Sequence, residues 1–215
     1  EFTLKLKAVT FLTIGGGLPE VVGVDVAFIK TPNSNKPYIP GSSVKGVLRT
    51  SVSRIARYYG FTSCGEIEPS RISRIHQKTG ICDVCKLFGY PGQEHGESSP
   101  LFISDFTPEG RFEYISITRV SIDSKTLTAV EGALYTVEHV VPGVVFKGVV
   151  SLREDAISLL PLLLLGIAEL RTSRFGLRSL VDAKIEDEGK LDKYVADDWR
   201  QLLLELRNWL WDGVV

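Results

Sequence analysis

With 215 residues, 44% of them hydrophobic and 24% charged, the chain is long enough to bury a full core and has no signature of disorder. A net charge of −1 and a pI near 6.4 exclude a uniformly basic nucleic-acid binder. The charge is uneven, however: residues 26–86 hold ten Lys/Arg against three Asp/Glu, whereas residues 182–215 hold nine acids against five bases. A basic N-terminal half can steer toward phosphates while the acidic end faces elsewhere. No charged-then-apolar leader precedes the first strand, and the apolar run over 156–168 is too short for a membrane span and is broken by Ser158 and Pro161. The expectation is a cytoplasmic protein without a membrane partner; the absence of Met and the scarcity of Asn and Gln fit a thermophilic source.

In chain order, Thr3 to Ile14 is β-rich, with partial alternation at Leu4, Leu6 and Ala8, and it runs into Gly15-Gly16-Gly17, a flexible turn. Val21 to Ile29 reads as a second extended segment, followed by a turn-rich loop over 31–36. A helix is predicted over 42–59. Pro37 and Pro40 stiffen its approach, Gly41 allows the turn, Ser42 or Ser43 can cap it, and its first amides are then free to meet an anion. Lys45 and Arg49 fall at i,i+4 on one face, with Val44, Val47, Leu48, Val52 and Ile55 on or near the other. The plainer reading of that spacing is an amphipathic helix with solvated cations. It is not a nucleotide-binding P-loop, because Lys45 precedes the second glycine, Gly46, and Val47 follows it.

Residues 60–99 are poor in regular pattern and hold all three cysteines and two of the three histidines, so they are expected to be an insertion and not core. Leu101 to Phe106 and Phe112 to Val120 alternate as strands, residues 121–142 have the composition of a hairpin, and Val144 to Leu152 is a further strand. An apolar helix kinked near Pro161 follows over 154–170, then a turn-like stretch over 171–179. The last element is a helix over 196–211, whose Trp199, Leu202, Leu203, Leu206, Trp209 and Leu210 fall at helical spacing as core. The mixed order gives an α+β class, and a βαββαβ unit of the ferredoxin or RNA-recognition type fits it.

Cys82 and Cys85 have the two-residue gap of a zinc hairpin, and Cys64 and His76 can complete a Cys₃His tetrahedron, with His95 as a reserve ligand. Such a Zn²⁺ would be structural, since four protein ligands leave no open position. Free thiols, or less plausibly a redox pair, are the alternatives.

Residues 37–49, PYIPGSSVKGVLR, resemble the RAMP superfamily of CRISPR-associated proteins, and specifically the backbone subunit of type III (Csm/Cmr) effector complexes. Four further segments agree in the family's order: GVDVAFIK at 23–30, CDVCKLFG at 82–89, residues 117–148, and LRTSRFGLRS at 170–179. Thr13 stands where many relatives carry a His, and the 170–179 loop has less glycine than is usual.

The resemblance implies a single ferredoxin-like RAMP domain over 1–215. It carries a zinc-binding lid at 60–99, a thumb hairpin at 121–142 and a C-terminal helical extension at 185–215. It also implies subunits assembled as a filament, with copies or paralogues, along a CRISPR guide RNA paired to a complementary target RNA. Ser42, Ser43, Lys45, Arg49, Arg54, Arg119 and Arg174 become candidate RNA contacts. Asp25 becomes the candidate catalytic residue, supporting cleavage of target RNA with Mg²⁺ or another divalent ion. A non-cutting scaffold subunit is the alternative, and a repeat-processing nuclease with a His base ranks behind both.

Overall fold

The computed structural model describes residues 1–16, 23–32, 34–91 and 98–212, the side chain of Pro69 excepted. Its centre is strand β1 (Phe2–Ala8), in which Phe2, Leu4, Leu6 and Ala8 are buried while the intervening residues are half-buried. That period of two puts one face of the strand on the core. Helix α1 (Gly41–Ile55) follows, extended by a 3₁₀ turn over Ala56–Tyr59. After α2 (Pro69–Thr79) and α3 (Asp83–Phe88) come β2 (Leu101–Ile103), β3 (Thr107–Glu109), β4 (Tyr114–Ile122), β5 (Ala129–Val140) and β6 (Val145–Leu152). The chain then runs through α4 (Leu160–Leu170), β7 (Val181–Glu186) and α5 (Asp197–Leu206).

The main sheet has the order β2-β6-β1-β7 with every pairing antiparallel, and β3 also pairs with β6. Within it, β1, α1, β2, β6, α4 and β7 form a β-α-β-β-α-β run. Helices α1 and α4 cross closely at Gly166, where an added Cβ would lie 2.6 Å from Val52 Cγ2. Helix α4 is apolar on nearly all sides because α1, α5 and the sheet enclose it. Pro161 falls in the first turn of α4, after a 3₁₀ stretch over Glu154–Leu159, where its missing N–H leaves no helix bond unmade.

Four expectations are corrected. Residues 60–99 contain two helices, and Ile72, Val84, Cys85, Leu87 and Phe88 belong to the main hydrophobic core. Residues 121–142 do not make a hairpin by themselves; the hairpin pairs β4 with β5, from Tyr114↔Val140 outward. The helical extension expected over 185–215 begins inside a strand, because Val181, Ala183 and Ile185 alternate and form the buried face of the edge strand β7. The terminal helix stops at Leu206. Beyond it Trp209 lies under Lys7 and Lys184, 4.8 and 5.8 Å from the ring. Residue 17 of the expected glycine turn, most of the first part of the 21–29 segment and the reserve ligand His95 lie outside the described residues. Among the described residues no helix is long and apolar enough to cross a membrane.

The segment after α5 is clasped to the core by charge. Asp182 is fully buried; its Oδ1 pairs with Arg171 Nε at 3.1 Å, and its Oδ2 accepts the Leu210 and Trp211 amides at 2.8 and 3.2 Å. Arg171 also donates to the carbonyls of Ala183 and Asn208. Asp182→Ala leaves a buried guanidinium without its counter-ion and the Leu210 and Trp211 amides without their carboxylate acceptor, and is expected to cost about 3–5 kcal/mol in denaturant unfolding. A loss below about 1 kcal/mol, the range of an exposed pair, would contradict this clasp.

Candidate functional site

Where β5 leaves the hairpin and enters the core, four consecutive residues hold two other parts of the chain: Thr136, Val137 and Glu138 hold residues 25–30, and His139 holds Thr13. The Thr136 carbonyl accepts the Asp25 and Val26 amides at 2.9 and 3.1 Å, and the Thr136 amide donates to Asp25 Oδ2 at 2.7 Å. Val137 is buried and bridges Val26 in parallel. Glu138 donates its amide to the Val26 carbonyl, accepts the Phe28 amide on Oε2 at 3.0 Å and pairs with Lys30 through Oε1 at 2.9 Å. This ion pair is shielded from water, its side chains being 7% and 10% exposed, and Lys30 Nζ also lies 4.5 Å from the centre of the Tyr114 ring. Asp25 is exposed, and it bonds to β5 and not to the loop at 31–36.

His139 faces the other way. Thr13 Oγ1 donates to the Glu138 carbonyl at 2.7 Å, so it accepts from His139 Nδ1–H at 2.6 Å. Nε2 is left as an acceptor for Arg119, 3.3 Å away. Burial first, and the Arg119 cation second, lower the imidazole pKa, which keeps the ring neutral in that tautomer.

Thr13 in turn touches the 171–179 loop: Leu177 donates its amide to the Thr13 carbonyl at 3.0 Å. At Gly176, which has a φ of +51°, a Cβ would lie 2.2 Å from the Thr13 carbonyl oxygen. The same loop meets α1, where Arg54 donates to Ser173 Oγ at 2.8 Å. Arg54, Arg174, Arg178 and Arg119 are all exposed, and a chain of contacts through Ser173, Leu177, Thr13 and His139 links the three separate segments that carry them.

The start of α1 differs from its expected form. Pro40 is the N-cap residue, Ser42 and Ser43 sit inside the first turn without a capping bond, and Asp105 Oδ1 accepts the Gly41 amide at 2.9 Å. Gly41 is required there, since a Cβ would lie 2.1 Å from the Ile103 carbonyl oxygen. Lys45 donates to Ser99 Oγ and to the Leu101 carbonyl, both at 2.8 Å; burial and then the nearby Arg49 lower its pKa. Arg49 donates to the Gly89 carbonyl at 2.7 Å and to Cys85 Sγ at 3.4 Å. Both cations are engaged by the protein itself.

Cys64, His76, Cys82 and Cys85 converge, their ligating atoms all within 4.8 Å of one another. The thiols are unpaired, with Cys64 Sγ and Cys85 Sγ 3.7 Å apart. Donation from Cys85 holds the Cys82 thiol down to about 4, and the same shared proton pushes Cys85 up. His76 is buried, packs edge-on against Tyr90 and has neither ring nitrogen hydrogen-bonded. A buried imidazole without partners beside three thiols fits a tetrahedral metal ion, and the donor set suits zinc.

A profile of the RAMP superfamily matches residues 5–213. The chain belongs to the RAMP superfamily. It is also 33% identical over 82 residues to "CRISPR system Cms endoribonuclease Csm3" of Methanothermobacter thermautotrophicus. That match covers 38% of this chain and 28% of the archaeal protein, so it spans little more than a quarter of the relative's length.

In this RAMP protein the four proposed metal ligands come together, and Arg54, Arg119 and Arg174 are exposed, whereas Lys45 and Arg49 are engaged by neighbouring segments of the protein. Sequence reading missed Glu138, Lys30, Thr136 and Asp105. Only Glu138 left a trace, as an acid within an otherwise apolar strand end, VEHVV. Glu138→Ala is expected to lower stability by about 3 kcal/mol or more by stranding Lys30, and to remove protection of the Phe28 amide in hydrogen exchange. Undiminished Phe28 protection would contradict this role.

Proposed function

We propose that this RAMP protein is a guide-RNA-binding backbone subunit of a type III CRISPR effector complex and that it cleaves complementary target RNA at Asp25. The observation that carries this reading is an exposed carboxylate tied to the root of a long, exposed hairpin, with exposed arginines on the hairpin, the 171–179 loop and α1. RNA phosphates meet Arg54, Arg174 and Arg119, with Ser42 at the exposed start of α1. Lys45 and Arg49 hold the helix to the rest of the protein, which moves the phosphate contacts along it to Arg54. The hairpin is the thumb, and its exposed Ile122, Leu127, Val130 and Leu134 form a wedge for bases. The strand order β2-β6-β1-β7 supports a ferredoxin-like core, and a filament of copies or paralogues along the guide accounts for regular cut spacing.

In the reaction the target ribose 2′-OH attacks the adjacent phosphorus while the P–O5′ bond breaks, giving a 2′,3′-cyclic phosphate and a 5′-hydroxyl. Asp25 accepts the 2′-OH proton, and water protonates the leaving oxygen. Asp25 would be the side chain that holds Mg²⁺ or another divalent ion, which would neutralise charge at the phosphate; among the described residues Asp25 belongs to no cluster of three or more metal-ligating side chains. Among the described residues a His base receives no support: His139 is held by Thr13 and Arg119, and His76 lies in the cysteine cluster.

In a complex reconstituted with guide RNA, Asp25→Ala is expected to keep target binding and abolish the regularly spaced cuts. Unchanged cutting would overturn the catalytic assignment, and a wild type that binds without cutting would support the scaffold reading. Arg54→Ala and Arg174→Ala should each weaken guide binding and reduce its salt slope by about one. Elemental analysis of reduced, freshly purified protein should return about one zinc per chain; zinc-free folded protein would remove the Cys₃His proposal.

A further inference from the structure

Three thiolates and a neutral imidazole around a divalent ion carry a net charge of −1, and this centre is largely buried, with Cys85 1% and Cys82 8% exposed and Cys64 half-buried. A buried net anion needs a nearby cation or hydrogen-bond donors. Among the described residues the cation in hydrogen-bond reach of a ligand atom is Arg49, whose second terminal nitrogen donates to Cys85 Sγ at 3.4 Å. Its first donates to the Gly89 carbonyl at 2.7 Å, and Gly89 closes α3 by donating its own amide to the Cys85 carbonyl.

We infer that Arg49 is a positioning residue of the metal centre: it holds the Cys85 sulfur and the end of α3 together and neutralises the thiolate charge. This rests on the zinc reading of the four-residue cluster and goes beyond it. The two contacts diverge from one rigid guanidinium, a geometry that a lysine ammonium cannot reproduce at both ends. The arrangement also gives a physical reason for an arginine one turn after Lys45. Helix α1 is joined to the cysteine-rich segment by one side chain that touches both its metal ligand and its backbone. Outer-shell donors of this kind tune the affinity of a site through the orientation and electron density of the ligand they touch.

The test uses the whole chain, purified reduced, with zinc affinity measured by competition against a chromophoric chelator and thiolate ligation followed by Co²⁺ absorption. Arg49→Gln is expected to weaken zinc binding about 10–100-fold and shift the cobalt–thiolate bands. Arg49→Lys should fall between it and wild type, keeping the charge and losing one contact. Thr50→Ala, on the exposed side of the same helix, should bind zinc as wild type does. If Arg49→Gln proves unstable, the Lys variant carries the comparison. Equal zinc affinity in wild type and both Arg49 variants would overturn the inference and leave the zinc reading intact. So would a loss of guide-RNA affinity with zinc binding unchanged, the result expected of a phosphate contact. Wild type that takes up neither metal would overturn both readings.

Discussion

The backbone of β5 from Thr136 to Val140 is the constraint on which the rest of the site depends. On one side it pairs with β4 to make the hairpin; on the other it bonds Asp25, Val26 and, through Val140, Leu12. A strand that is exposed for most of its length thus ends in four buried residues, Val137 to Val140. Two of these are polar, and each is satisfied: Glu138 by Lys30 and the Phe28 amide, His139 by Thr13 and Arg119. Buried polar groups with a full set of partners specify one register, because a shift of one residue would bury the wrong face and break every bond at once. The position of Asp25 relative to the hairpin is therefore set by the core.

The basic half of the chain contains two kinds of cation. Lys30, Lys45 and Arg49 are drawn inward to a carboxylate, carbonyls and a sulfur, and they hold segments distant in sequence against one another. Arg54, Arg119 and Arg174 remain exposed, each with one internal hydrogen bond. Counting charges along the chain merges the two kinds. Only the second presents its guanidinium groups to solvent, where phosphates can reach them.

Much of this was legible in the sequence where the signal is local. Spacing points to α1, a long apolar run to α4 and partial alternation to β1, and the two-residue gap between Cys82 and Cys85 points to the cluster with Cys64 and His76. The failures were contacts between distant residues. Ser42 reads as a cap until Asp105, 64 residues away, accepts the Gly41 amide. Asp182 and Lys184 disguise β7 as a charged connector, because the sequence does not show that Arg171 neutralises Asp182. Lys45 and Arg49 read as free cations until Ser99 and Leu101 accept from the first and Gly89 and Cys85 from the second. Asp25 stood out only through the family resemblance, since one acid between two valines has no periodic signature.

A structure of the subunit with guide RNA and a target bearing a 2′-deoxy substitution at the cut nucleotide tests the central claim most directly. The account predicts that the scissile phosphate faces Asp25 while the Thr136 amide still holds that carboxylate. A phosphate on the opposite side of the hairpin, or an Asp25 strand detached from β5, would contradict it.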